Sequence, residues 1–211
     1  MNAWVENAGR KFARFATRAV VARPWLWRVF RGPLRAQFDS LAPIWDARRE
    51  GASMLVLEEG FRHAGSAPKR ILDLGTGTGV AARFLATRFP EAEVVGVDLS
   101  PRMIEHARDL LPAELAGRVR FDVADATRLP YEDGAFELVV LLNMIPFFDE
   151  LARITRSGGH VLFGFSSGTD TPIYVPPPTL RARLGEAGFG DFRELAAGEG
   201  TGFLARRGDP S

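Results

Sequence analysis

Residues 71–79, Ile71-Leu-Asp-Leu-Gly-Thr-Gly-Thr-Gly79, constrain the fold of this chain more than any other stretch. A short apolar run carries one acid, Asp73, and then places Gly75, Gly77 and Gly79 at alternate positions. Such a run reads as a buried strand ending in a tight turn, because residues without a Cβ adopt positive φ and let another group approach the main chain. A helix is expected from about Thr78 to Arg88, and its unpaired N-terminal amides would point back at the turn.

A second apolar run, Val94-Val-Gly-Val-Asp98, also ends in an acid, about twenty residues beyond the glycines. In a βαβ unit an acid so placed reaches the hydroxyls of a ribose, so the two segments together ask for an adenosine-bearing ligand. Gly77-Thr-Gly79-Val-Ala-Ala82 also fits the G-x-G-x-x-A form of a dinucleotide site, and an NAD-dependent oxidoreductase is therefore one reading. Asp73 favours S-adenosylmethionine (SAM) instead: two residues before the first glycine, a carboxylate meets an ammonium group but repels a pyrophosphate. The Tyr-x-x-x-Lys pair of short-chain dehydrogenases is missing as well, since Tyr131 is followed at that spacing by Ala135 and Tyr174 by Pro178.

Farther on, Asp125-Ala-Thr-Arg-Leu-Pro-Tyr-Glu-Asp-Gly-Ala-Phe-Glu-Leu-Val139 leads into an apolar strand, and Ser157-Gly-Gly-His-Val-Leu-Phe163 follows. With this ordered set, residues 36 to 207 resemble the class I SAM-dependent methyltransferases, and most of all the ubiquinone and menaquinone branch. The resemblance implies SAM as cofactor. It implies Asp73 near the methionine amino group and Gly75, Thr76, Gly77 and Gly79 against the methionyl and ribose parts. It puts Asp98 at the ribose, Met103 near the adenine, and Asp125 with Ala126 at the adenine edge, and counts Leu99 among the cofactor-binding residues. Two departures stand out. Where many relatives have Leu-His-His, this chain has Leu142-Asn-Met-Ile-Pro-Phe-Phe148 with a shorter helix after it, and Ser157-Gly-Gly159 replaces Pro-Gly-Gly. The first falls on the substrate side of the cleft.

The rest of the chain alternates strand-like and helical runs, the pattern of a parallel sheet covered on both faces. Strands are expected near 70–74, 93–98, 118–123, 136–142 and 159–165, and helices near 78–88, 101–111, 148–155 and 178–187. Ser100-Pro101 supplies a capping hydroxyl followed by proline at the first helical position. The runs near 191–196 and 201–206 read as a terminal antiparallel pair. The expected fold is thus α/β, a Rossmann-like doubly wound, mostly parallel sheet with an N-terminal helical extension. Its expected organisation is a basic segment over 1–35, a helical lid over 36–68 and a SAM-binding catalytic domain over 69–211.

Methyl transfer from a sulfonium needs in-line positioning and exclusion of water, with a general base only where the acceptor holds its proton tightly. Neither a metal nor a covalent intermediate is required. His63 and His160 are expected at the amino edge of the sheet, about 16 Å from the ligand edge at roughly 3.3 Å per residue, and His106 partway down a helix. Asn143, Asp149, Asp170 and Tyr174 follow the fourth and fifth strands on the ligand edge. Asn143 is the best placed of them to support a methionyl group. The proline-rich loop 172–178 is a candidate pocket wall, and Trp45 with Arg49 would belong to the lid.

Charge is distributed unevenly. Residues 1–38 hold eight Lys or Arg and one acid, a net of +7, and residues 39–211 hold nineteen basic and twenty-five acidic residues, a net of −6. A helical projection of the first residues sets Trp4, Val5, Ala8, Phe12, Phe15, Ala16 and Ala19 on one face and Arg10, Lys11, Arg14 and Arg18 on the other. Trp25, Leu26, Trp27, Val29 and Phe30 then interleave with Arg23, Arg28 and Arg31. The alternatives for this segment are packing on the catalytic domain, contact between copies, and peripheral contact with an anionic membrane surface. No nucleic-acid reading motif accompanies the arginines. Arg18, Arg23 and Arg28 interrupt any secretory signal, and the absence of cysteine fits a cytoplasmic setting. The reading is a SAM-dependent methyltransferase for a small, apolar or amphiphilic acceptor, against an NAD-dependent oxidoreductase or a non-catalytic SAM-binding module.

Overall fold

The structure is a computed structural model that describes residues 3–42, 52–65 and 67–209. Two N-terminal helices come first, α1 (Ala3–Ala22) and α2 (Trp27–Leu41), joined by a 3-10 turn at Pro24–Leu26, and α3 (Ala52–Phe61) precedes the sheet. The alternating part is β1 (Arg70–Leu74), α4 (Val80–Arg88), β2 (Glu93–Asp98), α5 (Pro101–Asp109), β3 (Val119–Val123), β4 (Phe136–Leu142), α6 (Phe148–Ile154) and β5 (Thr155–Phe165). The chain closes with α7 (Pro177–Glu186), β6 (Phe189–Ala197) and β7 (Gly200–Arg207).

The strands form one seven-stranded sheet in the order β3-β2-β1-β4-β5-β7-β6, parallel except where β7 runs against β5 and β6. This is the expected doubly wound sheet with its terminal antiparallel pair. The order reverses between β1 and β4, and the crevice beyond the carboxyl ends of those strands is the binding place of an open α/β sheet. β5 departs from expectation by starting at Thr155, so Ser157-Gly-Gly159 lies inside a strand rather than in the turn before it. His160 consequently sits mid-strand, paired with Leu138 and Arg206, and it still lies well back from the carboxyl end at Phe165.

Each strand alternates its side chains between two cores. Leu72 and Leu74 of β1 join the core that contains α6 and α7, whereas Ile71 points into the core with α3, α4 and α5. The N-terminal helices belong to the first core through Ala13, Ala16, Val20, Trp27 and Leu34. That corrects the helical projection. The buried stripe of α1 runs through Ala13, Ala16, Thr17, Val20 and Val21, whereas Phe15 is 62% exposed. Phe15 and Arg14 exchange sides relative to the expectation, because hydrophobicity alone does not say which small residues a neighbouring helix will cover. Trp27 is likewise buried rather than displayed among arginines. The expected division at residue 35 falls within α2, which runs through it unbroken.

Candidate functional site

Gly75, Gly77 and Gly79 all adopt left-handed backbone, with φ of 80°, 55° and 81°, as a strand reversing directly into a helix requires. The turn is pinned to the neighbouring strand, since the amides of Gly75 and Thr76 both donate to the Val97 carbonyl, at 2.8 and 2.9 Å. Met144, from the segment after β4, covers it so closely that a Cβ on Gly75 would lie 2.8 Å from the Met144 sulfur.

Two carboxylates flank the turn. Asp73 is buried; its Oδ2 accepts from the Thr76 hydroxyl at 2.6 Å, while Oδ1 has no hydrogen-bond partner. Burial pushes its pKa from the ordinary 3.8 up to about 7, opposed by the Thr76 hydrogen bond, reinforced by the charge of Asp98 and opposed again by the nearby Ala82 amide. Asp98 ends β2 and closes the turn: Oδ2 accepts from the Gly77 amide and Oδ1 from the Ser100 amide, each at 2.9 Å. Burial raises Asp98 too, the amides of Ser100, Gly77 and Leu99 pull it back, and Asp39 on α2 pushes it up again. Leu99 is half-buried, and Met103 is buried on α5, its amide capped by the Ser100 hydroxyl at 3.1 Å. The sequence marked this cap. It did not mark Asp39, to which the same hydroxyl donates.

At the end of β3, Asp125 is enclosed by donors: Trp27 Nε1 and the Thr127 hydroxyl, both at 2.8 Å, the Thr127 amide at 3.0 Å, and Arg31 at 3.4 Å. Burial works to raise its pKa, but these hydrogen bonds outweigh it and hold the carboxyl below its usual range. Ala126 beside it is buried. Helix α2 therefore lies over the ends of β2 and β3. On the other side, Arg10 and Arg14 of α1 donate to the carbonyls of Asp170 and Thr169 in the loop after β5, at 3.0 to 3.3 Å. The N-terminal helices thus cross the whole carboxyl edge. Trp27, Asp39, Met144 and this crossing escaped the sequence because the partners are as much as 160 residues apart. The one local signal was the seven-residue spacing of Trp27, Leu34 and Leu41, which marks an inward helix face.

Other expected site residues divide. Asn143 stands at the carboxyl edge with φ of 55°, but its side chain is bound to Ser166 on the β5 side, donating at 3.0 Å and accepting from the Ser166 amide at 2.9 Å. It bridges strand ends; Met144 faces the turn. Asp149 is exposed in the first turn of α6. Asp170 takes part through its carbonyl, and Tyr174 packs on Phe165 with ring centroids 5.0 Å apart. In the proline-rich loop, Ile173 and Val175 are buried. Trp45 and Arg49 lie outside the described residues. His63 sits beside Glu59 on the segment before β1, at 3.4 Å, and His106 lies within α5. Burial and Arg206 lower the pKa of His160.

A methyltransferase-domain family matches residues 71–159, the span from β1 into β5 that holds the glycine turn and the three acids. Residues 71–159 thus form a methyltransferase domain of the class I SAM-dependent kind. It is 38% identical over 158 residues to the demethylmenaquinone methyltransferase of Deinococcus radiodurans, covering 69% of this chain and 61% of that protein. It is 37% identical over 156 residues to the malonyl-[acyl-carrier protein] O-methyltransferase of Geobacter sulfurreducens, covering 71% and 55%. The chain thus spans little more than half the length of these relatives. In three dimensions the methyltransferase in complex with the Trm112 activator of Haloferax volcanii aligns over 82% of this chain and 98% of its own, with a TM-score of 0.67 and 17% identity, a likeness of fold. The methyltransferase-domain match over residues 71–159 sets the dinucleotide reading of Gly77–Ala82 aside.

Proposed function

We propose that this protein binds SAM in the crevice between β1 and β4 and transfers its methyl group to a small amphiphilic acceptor by in-line displacement. The observation that carries the reading is the buried, unpartnered Oδ1 of Asp73 beside a left-handed glycine turn that Asp98 closes. A buried carboxylate oxygen left unpaired costs on the order of 1–3 kcal/mol, and an ammonium group offers the charge and donors that remove the cost. Asp98 is committed to two amides, but each carboxylate oxygen has a second lone pair with which to accept a ribose hydroxyl. Gly75 and Gly77 let the ligand approach the main chain. Met103 and Ala126 offer apolar contact to the adenine. An adenine amine at Asp125 would have to share the carboxylate with Trp27 and Arg31, so cofactor binding is coupled to the position of α2.

When bound, SAM supplies an electrophilic methyl on a sulfonium, and the chain's part is to position, enclose and dehydrate. Trp27, Leu34, Ile145 and Phe147 form an apolar cover at the cleft, with the Trp27 ring edge-on to Phe147 at 5.1 Å. Such a cover excludes water and accommodates an apolar acceptor body. Isothermal calorimetry is expected to show micromolar SAM affinity with no competition by NAD, and Asp98→Ala to weaken binding by about 1.5–3 kcal/mol, the scale for hydrogen bonds to a charged group. Release of S-adenosylhomocysteine with a quinol or other amphiphilic phenol, and not with hydrophilic amines or carboxylates, would bear out the acceptor class. Tight NAD binding without SAM binding would overturn the reading.

A further inference from the structure

Val29 lies two residues beyond the buried Trp27 in α2, roughly 200° around the helix, and Trp25 stands in the 3-10 turn just before α2. Val29 therefore points away from the cleft that Trp27 faces, and Trp25 and Val29 are 64% and 60% exposed. Phe15 of α1 joins them at 62% exposure, its ring edge-on to Phe30, the residue after Val29, with centroids 5.9 Å apart. Around these three bulky apolar groups stand Lys11, Arg18, Arg23 and Arg28, all exposed and in no ion pair among the described residues. The ion pairs of this segment belong instead to Arg31, with Asp125, and Arg35, with Asp39. No acid occurs between residues 7 and 38.

We propose that this outer face of α1 and α2 docks the protein on an anionic membrane surface, inserting Phe15, Trp25 and Val29 at the headgroup boundary while the four free cations meet lipid phosphates. Charge complementarity selects this occupant. A two-fold contact between copies would set an all-cationic face against itself, whereas an anionic bilayer attracts each cation and accepts the aromatic and aliphatic side chains at its interface. The docking rests on the amphiphilic-acceptor reading and deepens it: the same two helices lie over the carboxyl edge, α2 through Trp27 and Asp39 and α1 through Arg10 and Arg14, so docking sets the roof of the site against the phase that holds the acceptor. Among the described residues no helix is long and apolar enough to cross a membrane, and the attachment is peripheral.

Flotation of the full chain with vesicles of phosphatidylcholine, alone or mixed with phosphatidylglycerol, tests the proposal. The wild type is expected to float with the mixed vesicles at low salt, to stay behind with phosphatidylcholine alone, and to be released near 0.5 M salt, where screening shortens to about 4 Å. Phe15→Ser/Trp25→Ser/Val29→Ser and Lys11→Gln/Arg18→Gln/Arg23→Gln/Arg28→Gln should each lower partitioning by about tenfold or more, while the calorimetric SAM affinity and melting temperature of both stay within error of the wild type. A wild type that does not float, or an apolar triple variant that floats as well as the wild type, overturns the docking. So does a lipid-free dimer in sedimentation that the triple variant dissolves, because the face would then be a contact between copies. A wild type that floats but binds no SAM would defeat the methyl-transfer reading and leave the docking standing.

Discussion

Replacing Asp73 by Asn removes a charge that the folded protein holds at a cost. The Asp73 carboxyl keeps its proton up to about pH 7 in the folded chain, against 3.8 ordinarily. Between those values folding takes up a proton, so Asp73 lowers stability progressively as pH rises through the interval, and its full deficit is reached above pH 7. At about 1.4 kcal/mol per pH unit the interval corresponds to roughly 4 kcal/mol, and about 2 kcal/mol if local relaxation halves it. Asp73→Asn keeps an oxygen to accept from Thr76 and eliminates the ionised form. At pH 8 the variant should therefore be more stable than the wild type by about 2–4 kcal/mol, a melting-temperature rise of several degrees at roughly 2–4 °C per kcal/mol for a chain of this size. At pH 5 less than half of the difference should remain. The same change should weaken SAM binding at least about tenfold, the scale for losing a charged partner of an ammonium group. Wild-type SAM affinity should rise with pH towards pH 8, with proton release detected by calorimetry in buffers of different ionisation enthalpy. Scanning calorimetry and titration at pH 5 and pH 8 check both halves. A variant that is no more stable at pH 8 and binds SAM undiminished would refute the reasoning and leave Asp73 as a structural partner of Thr76.

Trp27→Phe preserves the apolar contact with Phe147 but removes the indole donor to half-exposed Asp125, and is expected to cost about 1 kcal/mol in urea unfolding; because the carboxylate is released to the cleft, SAM affinity should hold or increase, and a fall would argue that the tryptophan is itself part of the binding surface. Replacing His63, His106 and His160 together by Gln should leave the single-turnover methyl-transfer rate largely unchanged, since all three are remote from the carboxyl edge; a hundredfold loss with SAM affinity intact would reveal a histidine base.

The glycine turn, the acids at the ends of β1 and β2, the Ser100 cap and the strand positions were legible in the sequence for a common reason. Each is fixed by neighbours a few residues away, or by a connection so regular that spacing alone sets the geometry. Asn143 was legible only as a position: its place after β4 was evident, but its left-handed backbone turns the side chain to Ser166 and leaves Met144 over the glycines. The first forty residues show where local information stops. Their charge and amphipathic character were plain. Which face of α1 is buried, and whether Trp27 meets lipid or Asp125, depended on a surface supplied by β1, β4 and the segment after β3. The sequence by itself determined the chemistry offered at the carboxyl edge, since strand-to-turn geometry is local. Only the tertiary structure decided what covers that edge, because a helix with apolar and cationic residues on several sides has no preferred inward face until long-range packing selects one.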